Sequence, residues 1–314
     1  MSITEQDELE HPASDDWLWR ESLYFNFHDV SGKVGGTTTI GVRPNQNRFE
    51  GFAIIFLDAQ VFFYHTEGLL EAGKAGLFSL PGITYKMLTP LQNWRFEVVA
   101  DLSRVDPQQI VRDVRPPETT IPARIDLTFD ALSPAYEFST HAMELLSVAA
   151  RHYEQNGRIE GRGTVGGQTF AIDGFGFRDH SWGVRDLSRM GDVVALFTQF
   201  GPSLTVNIAK TVREGQEIAM GYISHNGVNI PVSDIQIALE TDPLSKLPTA
   251  TQAQIDTVDG RHLVLEAEIA AVMPIFFKQG GAQFHWYECS TRFRCGQQTG
   301  YGITEVTEVR VNSD

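Results

Sequence analysis

Apolar and polar residues alternate with a period of two along most of the chain. Trp17, Trp19, Leu23, Phe25 and Phe27 share one parity, while Arg20, Ser22, Tyr24, Asn26 and His28 share the other. That spacing predicts a strand buried on one face. SGKVGG turns into TTTIGVRP, FEGFAIIFLDAQVFFYHTEG reads as two strands around Asp58-Ala59, and ITYKML, NWRFEVVADL and ARIDLTFDA continue the meander. GRIEGRGTV and GGQTFAIDGFGF predict a hairpin across Gly166-Gly167. A second series runs from GDVVALFTQF through SLTVNIAK, RHLVLEAEIAAV and FHWYECSTRFRC to YGITEVTEVRV, with Asn226-Gly227 as another tight turn. Roughly eight strands per half with Gly- and Pro-rich turns predict an all-β chain, two antiparallel barrels or open sandwiches in tandem, not βαβ units.

Three segments break the alternation. Residues 1–16 read as a disordered acidic lead-in. The stretch 102–122, with VDPQQ and RPPETTIP, reads as a loop, either a flap or a plain connection. Thr140 to Gln155 places Ala142, Leu145, Leu146, Ala149 and Tyr153 at helical spacing, which predicts the one short helix. The expected domains are 17–178 and 179–314.

Composition narrows the function. Lys+Arg 25 against Asp+Glu 40 leaves a net charge of −15, which repels phosphate backbones and argues against nucleic acid as a partner. Two cysteines build no disulfide framework. Cys289 and Cys295 lie on one alternating run, about 20 Å apart if it is one strand, too far for a bridge. The N-terminus lacks the apolar core of a secretory signal, and no apolar run reaches the roughly 18 residues that cross a bilayer. A cytoplasmic protein without a transmembrane segment is the expectation; the oligomeric state stays open.

The usual catalytic signatures are missing. No GxxxxGK[ST] occurs, and SGKVGG and TVGGQT read as hairpin turns rather than phosphate loops. HExxH, HxH and CxxC are absent, so no metal site is expected. Ser181 in DHSWG lacks the glycine two residues earlier that a nucleophile elbow needs. Chemistry, if present, falls to ordinary acid/base groups.

One segment is dense in such groups: GFGFRDHSWGVRD, residues 174–186. Phe170 and Ile172 are apolar on even parity, Phe175 and Phe177 on odd parity, and a switch at Gly174 predicts a β-bulge or kink. Arg178, His180 and Trp182 then face one way and Asp179 the other. Asp179 is expected to pair with an arginine such as Arg185 or Arg189 as structural support. His180 beside an indole suits a proton donor or acceptor in a dry aromatic cavity. The bland reading is a corner between two β units, with Trp182 plugging the junction.

WRESLYFNFHD, IGVRPN, HYEQNGRIEGRGTVGGQTFAIDGFGFRDHSWGVRD and GYGITEV resemble the two-domain lipocalin-like family that contains the carotenoid 1,2-hydratases (hydroxyneurosporene synthases) and AttH-like proteins. The resemblance implies two lipocalin/calycin-like β domains with an apolar cavity. In the hydratase branch it implies water addition to an isoprenoid double bond, without metal or organic cofactor. His180 and Trp182 match that branch's His-x-Trp. Its aromatic-x-Asp acid falls here in SLTVNIAK, which offers Thr205 and Asn207 but no carboxylate. An amide is no strong acid.

Glu305 is the alternative acid. It shares a face with Tyr301, Ile303, Thr307, Val309 and Val311 as a lone charge, and burial would keep it protonated; a buried ion pair is the competing reading. Glu288 shares its face with Arg292 and Arg294 and reads as solvated. Tyr24 and Asn26, with His28, either line a cavity or face water. His65, His225 and His262 read as surface residues. The candidate set is therefore His180, Trp182 and Glu305 for catalysis, with Tyr24, Asn26, Arg178, Asn207 and Tyr301 for ligand binding. Two functions stay open: a lyase or isomerase/cyclase acting on a hydrophobic terpenoid- or polyketide-like molecule, or a carrier or sensor of an apolar ligand.

Overall fold

The structure, a computed structural model, describes residues 3–70, 75–112, 119–139, 143, 149–213, 215–279 and 281–311. The chain divides into two units. One comprises Met1–Asp58, Phe62–Arg104 and Pro117–Arg185; the other comprises Ala59–Val61, Val105–Pro116 and Asp186–Asp314. Both are antiparallel β, as the alternation predicts.

The first unit is built from β1 (Trp19–Asp29), β2 (Val34–Arg43), β3 (Arg48–Leu57), β4 (Gln60–Leu69), β5 (Ser79–Leu80), β6 (Ile83–Thr89), β7 (Asn93–Val105), β8 (Thr120–Ala131), β9 (Tyr136–Glu137), β10 (Arg151–Val165) and β11 (Gln168–Val184). They form one 11-stranded sheet in the order β4-β3-β2-β1-β11-β10-β8-β7-β6-β5, with β9 on β10. An extra β4–β7 pairing brings the path back on itself. Its inner face is a core of Leu23, Phe25, Phe27, Trp94, Phe96 and Phe129, all buried.

Two of its turns follow from the sequence directly. Asp58 and Ala59 take φ of 47° and 63°, and Gly166 and Gly167 take 57° and 84°, the paired left-handed conformations that let a two-residue turn follow the strand twist.

The second unit is a closed barrel of β12 (Asp192–Gln199), β13 (Leu204–Arg213), β14 (Gln216–His225), β15 (Val228–Thr241), β16 (Pro248–Thr257), β17 (His262–Gln279), β18 (Ala282–Cys295) and β19 (Gln298–Val311). Pairing of β12 with β19 closes it and removes the free edges. Leu196, Val206, Ile208, Ile223, Ile255, Leu265 and Phe293 fill it.

Four expectations need correction. The lead-in is ordered in the structure from residue 3 onward: Glu5–Glu8 form a 3-10 turn, and Asp7 and Glu8 are buried. Met143, inside the predicted helix, is helical, and its N–H donates to the Ser139 carbonyl at 3.1 Å, but Arg151 to Gln155 belong to β10, because their period-two partners lie on β11; residues 140–142 and 144–148 lie outside the described residues. A further short α-helix, α1, Pro107–Val111, lies inside the predicted loop, where the Asp106 side chain accepts from the Gln108 N–H as a cap. The boundary expected at 178/179 falls inside β11, which stays paired with β1 and β10 to its end, so residues 179–184 belong to the first unit.

No bulge occurs at Gly174 either: the β10–β11 register runs unbroken from Val165↔Gln168 to Arg151↔Trp182. The parity switch has another cause. A Cβ at Gly174 would lie 2.0 Å from the His28 carbonyl oxygen and one at Gly176 2.3 Å from that of Asn26, so the backbone of β1 leaves no room there for a side chain. Meanwhile the outer positions Phe175 and Phe177 become buried, where Ala171 and Asp173 are exposed.

Candidate functional site

Three adjacent strands of the first unit, β1, β11 and β10, carry functional groups on both faces. The register pairs Glu21 with Trp182, Leu23 with His180 and Phe25 with Arg178 across β1–β11. It pairs Arg151 with Trp182, Tyr153 with His180 and Gln155 with Arg178 across β10–β11. These residues share the inner face. Ser22, Tyr24, Asn26 and His28 of β1 share the outer face with Ser181, Asp179 and Phe177 of β11 and His152, Glu154 and Asn156 of β10. The sequence thus correctly separates His180 from Asp179.

On the inner face His180 is fully buried, and its Nε2 donates to Glu21 Oε1 at 2.8 Å. His11 of the lead-in donates from Nδ1 to the same oxygen at 2.7 Å and stacks on Trp182, with centroids 3.9 Å apart and planes 9° from parallel. Burial raises the Glu21 carboxyl, but the hydrogen bonds from His11 and His180 outweigh it and hold it below the usual range. Burial pushes His180 down against the pull of Glu21, so a neutral imidazole faces an ionised carboxylate.

Deeper in, Glu8 is wholly buried. Its Oε1 accepts from Arg178 Nη2 at 2.6 Å and from the Tyr153 hydroxyl at 2.7 Å; its Oε2 accepts from Trp94 Nε1 at 3.0 Å. Arg178 is also fully buried, lies 5.3 Å from the Trp94 ring centre and donates to Gln155 Oε1. Burial opposes its charge, but Tyr153 and Glu8 hold its pKa above the ordinary arginine value.

The sequence search for metal motifs misses one grouping. His11, Glu21 and His180 offer ligand atoms within 4.8 Å of one another, a two-His, one-carboxylate donor set. Both imidazole nitrogens instead hydrogen-bond one carboxylate oxygen, closer than the about 3.3 Å that separates donors around tetrahedral zinc with bonds of about 2.0–2.1 Å. As drawn, the trio is a hydrogen-bonded relay, and it would have to splay to accept an ion.

The outer face carries a carboxyl pair. Glu154 and Asp179 stand directly opposite each other on β10 and β11. Burial raises Glu154 well above the usual carboxyl range. Burial, reinforced by the charge of Glu154, lifts Asp179 to about 6, although His152, Arg185 and Arg20 pull it down. Glu154 Oε1 shares a hydrogen bond of 3.1 Å with His152 Nε2, while its buried Oε2 has no hydrogen-bond partner among the described residues. Tyr24 lies across β1 from Asp179, with its ring edge-on to Phe177 at 6.1 Å. Asn26 is buried, so the polar stripe of β1 does not face water, and burial drives His28 down to about 3. Arg185 donates to Ser181 Oγ at 3.0 Å and also acts on Asp179 through its charge.

The remaining predicted residues lie in the second unit, on the face opposite its core. Asn207 is buried between Phe197 and Tyr222 in the register, and Tyr301 is half-buried opposite Gln199 and Arg292. Glu305 is half-buried and not a lone charge, because Glu288 stands directly across from it. Glu288, expected to be solvated, is fully buried. Reading one strand at a time hid this pairing of carboxylates. His65 and His262 are exposed and His225 is half-buried. Both cysteines are free.

Sequence reasoning missed Glu8, His11, Glu21, Tyr153 and Glu154. The parity of Tyr153, Gly157 and Ile159 against His152, Glu154 and Asn156 was the available signal for β10. For Glu8 and His11 a polar lead-in offers none.

Solved structures share this fold. Kievitone hydratase from Nectria haematococca aligns with a TM-score of 0.60 at 10% identity, covering 92% of this chain and 88% of that one. A putative AttH protein from Nitrosomonas europaea aligns with a TM-score of 0.55 at 13% identity, covering 95% and 96%. CghA, crystallised with Sch210972, aligns with a TM-score of 0.57 at 11% identity, covering 93% and 88%. The likeness at this identity is one of fold, and it bears out the resemblance to the two-domain hydratase and AttH-like proteins. Among curated proteins none matches. No helix among the described residues is long and apolar enough to cross a membrane. A family model described as a domain of unknown function, DUF7064, matches residues 4–310, and the chain belongs to that family.

Proposed function

We propose that the chain is an enzyme that moves a proton onto and off a hydrophobic small molecule, in a hydration/dehydration, isomerisation or cyclisation. The observation that carries this reading is the Glu154–Asp179 pair: two facing carboxyls, both shifted upward, one with a buried oxygen that has no partner among the described residues. A carboxyl held neutral near pH 7 is what acid catalysis requires. On this reading Glu154 supplies the acid that Asn207 does not.

In a hydration, Glu154 gives its proton to one carbon of a C=C bond. Water adds its oxygen to the other carbon, and the proton that water loses returns to the carboxyl pair. The π bond breaks, a C–H and a C–O bond form, and nothing is oxidised. Tyr24 and Phe177 present aromatic rings to the developing cation. His180 and Trp182, on the reverse face of the same strand, are positioning residues. The names of kievitone hydratase and the resemblance to carotenoid hydratases favour water addition within this class.

Asn207 favours one other reading, a carrier that binds without converting. The test is incubation of the protein with prenylated phenols and linear terpenoids in deuterated water. Products bearing deuterium on carbon, lost about 10²–10⁴-fold in Glu154→Gln with KM little changed, support the enzyme. Bound, unconverted ligand in native mass spectrometry across that panel supports the carrier.

A further inference from the structure

The inner face of the first unit holds a second, separate feature. Arg178 lies at its centre, wholly buried among Trp94, Phe129 and Tyr153, whose ring centres lie 5.3, 5.8 and 5.4 Å from the guanidinium. Three donors converge there on one carboxylate, Arg178 Nη2 and the Tyr153 hydroxyl on one oxygen and Trp94 Nε1 on the other. Strands β7, β10 and β11 build this cage, yet the carboxylate that fills it arrives from Glu8, 170 residues from Arg178 in sequence. A buried guanidinium needs an anion, and the cage takes one from a tether.

The tether is held by polar contacts. Thr4 caps the turn through Asp7, and Arg151 Nη1 pairs with Asp7 at 2.6 Å. His11 binds Glu21 and stacks on Trp182. Leu9 of the same segment is 42% exposed, and Glu5, Gln6 and Glu10 are exposed as well. Residues 5–11 therefore bury little apolar surface, and what they insert is the wholly buried Glu8 carboxylate and the less buried, flat His11 ring.

We propose that residues 5–11 are a displaceable plug, and that the cage beneath is a binding site for a carboxylic acid whose carboxylate is joined by a short apolar spacer to a planar ring. The ligand carboxylate replaces that of Glu8 between Arg178, Tyr153 and Trp94. Its ring replaces the His11 imidazole stacked on Trp182, exchanging a polar ring for an apolar one against the buried indole. His180 still donates to Glu21 after His11 departs. The cage lies on the face of β10 and β11 opposite the Glu154–Asp179 pair used by the reaction proposed above, and its test reads binding rather than turnover.

The probe is 1-pyrenebutyrate, followed by fluorescence titration, with 1-pyrenebutanol as the control that lacks the carboxylate. Glu8→Gln keeps the side-chain volume and loses the competing anion, so it binds pyrenebutyrate about tenfold or more tighter than wild type, because the fraction of open cage rises. Pyrenebutanol binds both proteins equally and more weakly. In wild type, saturating pyrenebutyrate speeds cleavage at Glu5, Glu8 and Glu10 by a glutamate-specific protease, a readout that does not depend on the variant folding. Equal affinity of Glu8→Gln and wild type, or equal binding of acid and alcohol, or cleavage unchanged by the probe, overturns the proposal.

Discussion

The two β units solve the same problem, filling the space behind a curved sheet, with different chemistry. The second is filled by Leu196, Val206, Ile208, Ile223, Ile255, Leu265 and Phe293; a Thr291 hydroxyl donating to Thr304 Oγ1 at 3.0 Å is a polar contact buried beside them. The first has an apolar core too, but one end of it holds Glu8, Glu21, Arg178 and His180, all with no exposed surface. An apolar interior needs only volume, whereas a charged one needs partners placed to within a hydrogen bond. The difference teaches where chemistry can be stored: the first unit keeps titratable groups dry by pairing them, and one partner comes from outside the sheet.

The comparison breaks most sharply at Arg178. Arg178→Met strands the buried Glu8 without its cation and costs the first unit about 3–5 kcal/mol, read as a lowered unfolding midpoint in denaturant. Adding Glu8→Leu restores most of that loss, since an apolar pair of similar volume replaces the ionic one. No rescue would mean that the charges do more than neutralise each other. In the second unit Phe293→Ala costs a similar about 3–5 kcal/mol by cavity formation, and no single second substitution of opposite polarity repairs it.

Acidity sharpens the contrast within the first unit. Asp179, raised to about 6 from an unfolded value of 3.8, contributes stability that is complete below pH 3.8 and lost as pH rises toward 6. His28, lowered from 6.5 to about 3, has the opposite sign: its contribution is complete above pH 6.5 and lost as pH falls toward 3. Thermal unfolding at a series of pH values therefore shows Asp179→Asn gaining on wild type between pH 4 and 6. His28→Asn gains on wild type as pH drops below 6.5. Coincident profiles for the three proteins would remove the shifts as a stability factor. Thr291→Val, in the second unit, is the smallest effect, about 1 kcal/mol from one buried hydroxyl bond and independent of pH.

The alternation of Leu23, Phe25 and Phe27 with Ser22, Tyr24 and Asn26 was enough to establish an all-β chain, because a strand's two faces are a local property of its backbone. The turns at Gly166-Gly167 and Asn226-Gly227 were equally legible, since left-handed φ values are demanded by the turn itself. So was the opposition of His180 and Asp179. What only the tertiary structure decided is which side chains meet across strands. Glu154 and Asp179, or Glu288 and Glu305, are neighbours by register, and register depends on pairings that no single segment encodes. The kink read at Gly174 was instead a response to the backbone of β1 passing within van der Waals range. Glu8 and His11 are the extreme case: a polar, irregular segment carries no periodicity, and its place is set by a cage that exists only once β7, β10 and β11 have come together.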